Sequence, residues 1–125
     1  IKSLATHIAD LPSWAEMVLR TNELDFENNT HQIDDVNNTV DLVDFFDRSV
    51  DKSIKALENA SLETLDEMWI LRSGNQIYSE DTKYEVIRMS IAQQIHHRAQ
   101  LGVYLRLLNI PIPGSYGPSA DDQNF

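Results

Sequence analysis

The sequence predicts an all-α protein, a bundle of packed helices. Three observations carry that reading. Three long stretches repeat their apolar residues at helical spacing, strand-like patterning is confined to one short segment, and the last stretch is apolar on more than one side. A helix apolar on two sides needs neighbours on both, which two partner helices do not easily supply. A fourth helix is therefore expected, from an upstream segment or from a second subunit. The chain begins at Ile1 rather than Met and reads as helix at once, so an upstream element is expected to be missing.

The first helix is expected over Ile1 to Thr21, where Leu4, His7, Leu11, Trp14 and Val18 fall at steps of three and four residues and so share one stripe. Pro12 lies inside it and removes one backbone donor, which predicts a kink about one turn before Trp14. Asn22 to Asn38, rich in Asn, Asp and Glu, reads as a loop that contains His31. The second helix runs from about Thr39 to Asn59, with Val43, Phe46, Val50, Ile54 and Leu57 as its buried stripe. Asp41, Asp44, Asp47 and Asp51 read as a solvated face. Ser61 to Trp69 predicts a short helical turn capped by Ser61. Trp69 to Arg72 and Gln76 to Ser79 flank Ser73-Gly74-Asn75 and suggest a small hairpin or an extended excursion.

The longest helix is expected from about Thr82 to Asn109, capped by Asp81 or Thr82 and ended by Asn109 and Pro111. Tyr84, Ile87, Ile91, Ile95 and Leu105 form an apolar seam. A second seam at heptad spacing, Val86, Ser90, Gln93, His97, Gln100, Tyr104 and Leu107, is mostly polar. Pro111 to Phe125 reads as a turn-rich tail.

Composition bounds the chemistry. With 42% hydrophobic and 24% charged side chains, the 125 residues read as one domain, 1–125, with a real core. No apolar run approaches the roughly 20 residues of a membrane span and no basic stretch leading into an apolar core opens the sequence. A soluble cytoplasmic protein with no membrane partner is expected. Cysteine is absent, so disulfides, thiolate nucleophiles and thiolate metal sites are excluded, and His, Asp, Glu and amide groups are left for metal chemistry. The formal charge of -10 repels phosphate backbones, and direct nucleic-acid binding is not expected.

Polar groups buried in a bundle core cost on the order of 1–3 kcal/mol each unless they find partners, so the polar seam of the last helix must be satisfied by itself, by water or by a ligand. His7 occupies a core-facing step of the first helix. Were the two helices neighbours, His7 would meet Gln93 and His97, which project from one face at i, i+4. Two imidazoles and an amide oxygen can hold a divalent cation. The alternative is a set of hydrogen-bonded core residues. His96 points to a different side from His97 and reads as a second-layer or interface residue, His31 as an exposed loop imidazole, and Trp14, Trp69 and the methionines as core.

Three blocks carry a resemblance: His7-Ile8-Ala9-Asp10-Leu11-Pro12-Ser13-Trp14, then His96-His97-Arg98-Ala99-Gln100-Leu101 continuing through Val103 to Leu108, and Pro111-Ile112-Pro113-Gly114-Ser115-Tyr116-Gly117-Pro118-Ser119-Ala120-Asp121. Together and in this order the sequence resembles the DinB-like family of DNA-damage-inducible proteins. The resemblance implies an up-and-down four-helix bundle with a long crossover, its first helix lying before Ile1, and commonly a homodimer. It also implies a three-histidine site for a divalent metal, usually nickel or zinc. The first ligand maps onto His7, the last onto His97, and the middle one onto Gln93, where this sequence departs from the pattern. An amide oxygen is a weaker ligand than imidazole for these ions, so metal binding is expected to be weak or absent. Ala99 stands where a glycine is usual.

The family is related to bacillithiol S-transferases and mycothiol-dependent isomerases, which implies a metal-dependent thiol transferase or hydrolase acting on a small molecule, with Tyr104 or Tyr116 as donors to the substrate. The competing reading is a metal-free dimeric bundle that binds a small ligand or is structural.

Overall fold

A computed structural model describes residues 1–29, 31, 33 and 35–124. The loop reading at Thr30, Gln32 and Asp34 and the tail reading at Phe125 lie outside the described residues. The first helix is α1 (Lys2–Asp10), a single 3₁₀ turn (Leu11–Ser13) and α2 (Trp14–Arg20), joined with no break in right-handed helical backbone. The missing amide of Pro12 is the reason for the tightened turn, at the place the sequence predicts a kink. Then follow β1 (Glu23–Asp25), α3 (Thr39–Glu58), α4 (Leu62–Leu65), β2 (Met68–Ser73), β3 (Gln76–Thr82) and α5 (Lys83–Leu107).

Three helix starts, those of α3, α4 and α5, carry side-chain caps. Asn38 accepts from the Asp41 amide at 3.0 Å, Ser61 from Thr64 at 3.1 Å and Thr82 from Glu85 at 3.3 Å. Helix α5 ends at Leu107, and Asn109 just beyond it takes a φ of 58° that lets the Ile110 amide reach back to the Leu105 carbonyl at 3.0 Å.

The expectation of an all-α up-and-down four-helix bundle is overturned. The chain combines its helices with a three-stranded mixed sheet in the order β1-β2-β3. Strands β2 and β3 pair antiparallel as a hairpin around Gly74-Asn75, where Gly74 sits at φ +53°, a conformation open to glycine. Tyr78 is an extra residue in the register between Leu71 and Arg72, a bulge that twists the edge strand. Strand β1 adds in parallel on the other side, Glu23 opposite Ile70 and Asp25 opposite Arg72, inside the segment read as loop. Trp69 of β2 is completely buried in the core with residues of α2 and α5, and that burial fixes the hairpin on the helices.

The α1–α2 rod lies between α3 and α5 and packs on both. One core joins Trp14, Met17 and Val18 to Leu24, Trp69, Val86 and Ile87; a smaller one joins Ala9, Phe45 and Val36. The Trp69 indole donates to Thr21 Oγ1 at 3.0 Å, and Thr21 in turn donates to the Met17 carbonyl at 2.8 Å. Met17 is buried and Met89 packs on the core, but Met68 is half exposed.

Two expected faces differ. On α3 the buried stripe is Phe45, Ser49 and Ser53, while Val43, Ile54 and Leu57 are exposed. The small serines let the rod approach closely, and they bond the Phe45 and Pro12 carbonyls respectively. Asp44, Asp47 and Asp51 are exposed, as a solvated face should be. On α5, Val86, Ile87 and Ser90 are buried, Gln93 and His97 half-buried, and Ile91, Ile95, Gln100, Tyr104 and Leu107 exposed. The rod covers only the first half of α5, so the polar seam loses its cover beyond His97 and the apolar seam already at Ile91. Among the described residues no helix is long and apolar enough to cross a membrane.

Candidate functional site

His7 lies on the second turn of α1, on the side that packs against α5. One helical turn separates Gln93 from His97 on α5, and both look back at it. The His7 and His97 rings meet edge to face, their centroids 4.9 Å apart at 67°. Gln93 turns its amide nitrogen toward Met89 Sδ at 2.7 Å and offers its carbonyl oxygen to His7. Gln100 Oε1 lies 2.8 Å from His97 Nδ1, so the neutral ring carries its proton there and keeps the Nε2 lone pair. The structure thus brings His7, Gln93 and His97 together. The exposed His96 ring packs on His97 at 5.1 Å and extends the cluster outward.

Burial, and then the neighbouring His97, push the His7 imidazole below the ordinary histidine range; the charge of Asp10 and the Gln93 hydrogen bond oppose them. A neutral ring with a lone pair is the form that binds a cation. Ring centres 4.9 Å apart are compatible with two imidazoles sharing one ion at metal–nitrogen distances of about 2.0–2.1 Å. Among the described residues no three His, Asp or Glu side chains converge as a metal-holding group, and the further donor beside the two imidazoles is the Gln93 amide oxygen. The donor set fits a divalent ion, with one neutral oxygen in place of a third imidazole.

Tyr104 and Tyr116 are both exposed, and among the described residues no hydrogen bond ties either to the histidine pair. Tyr116 instead lines an apolar groove of about 510 Å³ between the last turns of α5 and the tail.

Sequence reasoning missed a second polar centre on the α3 side of the rod. Asp10, buried, accepts from Ser13 Oγ at 3.1 Å and from His31 Nε2 at 2.9 Å. His31 is therefore not a free loop imidazole. A carboxylate beside the buried stripe of an amphipathic helix requires a partner, and that requirement was the available signal.

The DinB family profile matches residues 1–124. No functionally curated protein matches the chain. Among solved structures, a DinB-like protein of Bacillus subtilis, YjoA, is similar in fold, with a TM-score of 0.64 and 20% identity over 98% of this chain and 74% of that one. With the profile spanning all but the final residue, the chain belongs to the DinB family.

Proposed function

We propose that this DinB-family protein holds nickel or zinc through His7, Gln93 and His97 and acts as a metal-dependent transferase or hydrolase on a low-molecular-weight thiol. The observation that carries the reading is the contact of the His7 and His97 rings, with Gln93 hydrogen-bonded to His7 beside them. His7 stays neutral through burial, and the Gln100 bond holds His97 with its Nε2 lone pair available. Both rings are half-buried, open enough for a small substrate to reach and covered enough to limit water. A bound divalent ion would supply Lewis acidity that makes a thiol or water anion available near neutral pH. With no cysteine in the chain, the reacting thiol belongs to the substrate. A homodimer fits the apolar residues left exposed on α3 and α5.

Elemental analysis of protein purified without an affinity tag tests this. Nickel or zinc should co-purify or bind at micromolar concentration, and His7→Ala or His97→Ala should abolish binding. If no such ion binds, the metal reading fails. The remaining reading is then a metal-free dimeric module that binds a small ligand or is structural, favoured by the fact that each imidazole already has an amide partner.

A further inference from the structure

Beyond the histidine pair, the tail folds back on the last turns of α5 and leaves the apolar groove of about 510 Å³ between them. Ile95, Arg98, Gly102 and Leu105 run along its helical wall, at steps of three, four and three residues. His97 precedes Arg98 by one residue and so points about 100° away round the helix, and none of His7, Gln93 and His97 lines the groove. The facing wall carries Ile112, Pro113, Tyr116 and Pro118 of the tail. That wall is built in advance of any ligand. Asp121 Oδ2 accepts from Arg106 Nη1 at 2.9 Å and from the Ile112 amide at 3.1 Å, which pins the tail to the helix. Ser119 Oγ donates to the Ile112 carbonyl at 2.6 Å and accepts from the Asp122 amide at 2.8 Å, which closes the tail on itself. Gly102 keeps the floor deep: a Cβ there would meet only Ile112 Cδ1, at 3.6 Å.

Charge and size narrow the occupant. The chain carries 20 Asp and Glu against 10 Lys and Arg, yet among the described residues no carboxylate lines the groove and two arginines do. Arg106 is neutralised by Asp121 at 2.9 Å, whereas Arg98 is exposed and makes no hydrogen bond or ion pair among the described residues. One available guanidinium therefore stands at the side of an apolar groove. The volume lies within the roughly 300–1,000 Å³ of small-molecule sites. From Arg98 to Leu105 the helix rises about 10 Å, which suits an extended apolar body with a single anionic end.

We propose that the groove binds an unesterified medium-chain monocarboxylate, its acyl chain lying over Gly102 and Leu105 against the tail and its carboxylate on Arg98. The guanidinium fork matches the two oxygens of a carboxylate, and the apolar walls take up the chain.

The test uses the whole chain, with octanoate, hexanoate and hexanol as probes at constant ionic strength, followed by NMR of the Gly102 amide. Octanoate should bind with a dissociation constant on the order of 1 mM. Full burial of a methylene is worth about fourfold in affinity and half burial about twofold, so hexanoate, two methylenes shorter, should bind about fourfold more weakly. Hexanol, matched in length but uncharged, should bind about threefold to fivefold more weakly than hexanoate, and Arg98→Gln should erase that preference. Gly102→Leu, which fills the floor, should abolish binding, while Arg88→Gln, exposed on the same helix and paired with Glu85 at 2.7 Å, should bind as the parent does. If Gly102→Leu disturbs the tail, the Arg98→Gln comparison decides alone. Equal affinities for hexanoate and hexanol, no loss on shortening the chain, or no saturation by octanoate at about ten times the expected constant overturns the proposal. So does a dissociation constant that rises with protein concentration, which would mean that a second copy fills the groove.

Discussion

His31 Nε2 lies 2.9 Å from Oδ1 and 3.1 Å from Oδ2 of Asp10, 21 residues away, and so ties the loop before α3 to the buried side of the first helix. The Asp10 hydrogen bond raises the affinity of the His31 imidazole for its proton; burial opposes this and the Asp10 charge reinforces it, so the ring titrates above the ordinary range. Burial pushes the Asp10 carboxyl up, but the His31 bond and charge, with the Ser13 hydroxyl, outweigh it and hold the group below the usual carboxylate range. The His31 contribution is fully present below about pH 6.5 and is lost as pH rises through its raised titration; that of Asp10 is present above about pH 3.9 and is lost as pH falls through its depressed one. Urea unfolding should therefore show a plateau between those limits, and His31→Gln should remove the alkaline decline. Asp10→Ala should cost about 1–3 kcal/mol near neutral pH. An unchanged pH profile in His31→Gln would show that the pair does not couple to folding.

Gln93→His restores an imidazole at the middle position of the histidine cluster. Nickel or zinc affinity, measured by calorimetry, should rise by about tenfold or more, equivalent to about 1.4 kcal/mol. Unchanged affinity would place Gln93 outside the site.

Lys83 is buried at the start of α5, its Nζ 2.7 Å from Glu67 Oε2 and 3.5 Å from the Leu19 carbonyl. Removing only the partner leaves a buried charge, whereas removing the charge leaves a packed apolar stem. Glu67→Gln should destabilise by about 1–2 kcal/mol, less than a fully buried pair because Glu67 is half exposed. Lys83→Met should be near neutral. Thermal unfolding of both variants decides, and a larger loss in Lys83→Met than in Glu67→Gln would contradict the argument.

Gly74→Ala should weaken the hairpin by about 1–2 kcal/mol. A side chain at φ +53° is strained, and a Cβ there would come within 2.5 Å of the Glu27 carboxylate. The carboxylate can swing away but the backbone cannot, so Glu27→Ala in the same chain should recover little of the lost stability in a chemical-denaturation series.

Helix ends were legible because each is written locally, in Ser61, Thr82, Asn109 and Pro111. The convergence of His7, Gln93 and His97 was legible because helical phase fixes which side chains can face a neighbour. What failed did so for equally physical reasons. On α3 the rod packs on Ser49 and Ser53, hydroxyls whose bonds are to backbone carbonyls, so polarity hid a packing face and the more apolar Val43, Ile54 and Leu57 stayed outside. Strand β1 spans Glu23–Asp25, too short to show alternation, and it exists through its pairing with β2. His31 meets Asp10 across a loop, where no periodicity relates sequence spacing to distance.

The parallel pairing of β1 with β2 also orders assembly in time. The hairpin of β2 and β3 closes over two residues, while the Thr21–Trp69 and Glu23–Arg72 contacts close loops of 48 and 49 residues that enclose the whole of α3. Short loops close at smaller entropic cost, so the hairpin and the separate helices form first, and β1 docks when α3 is already in place. Substitutions at the Glu23–Arg72 contact should then speed unfolding and leave the refolding rate nearly unchanged.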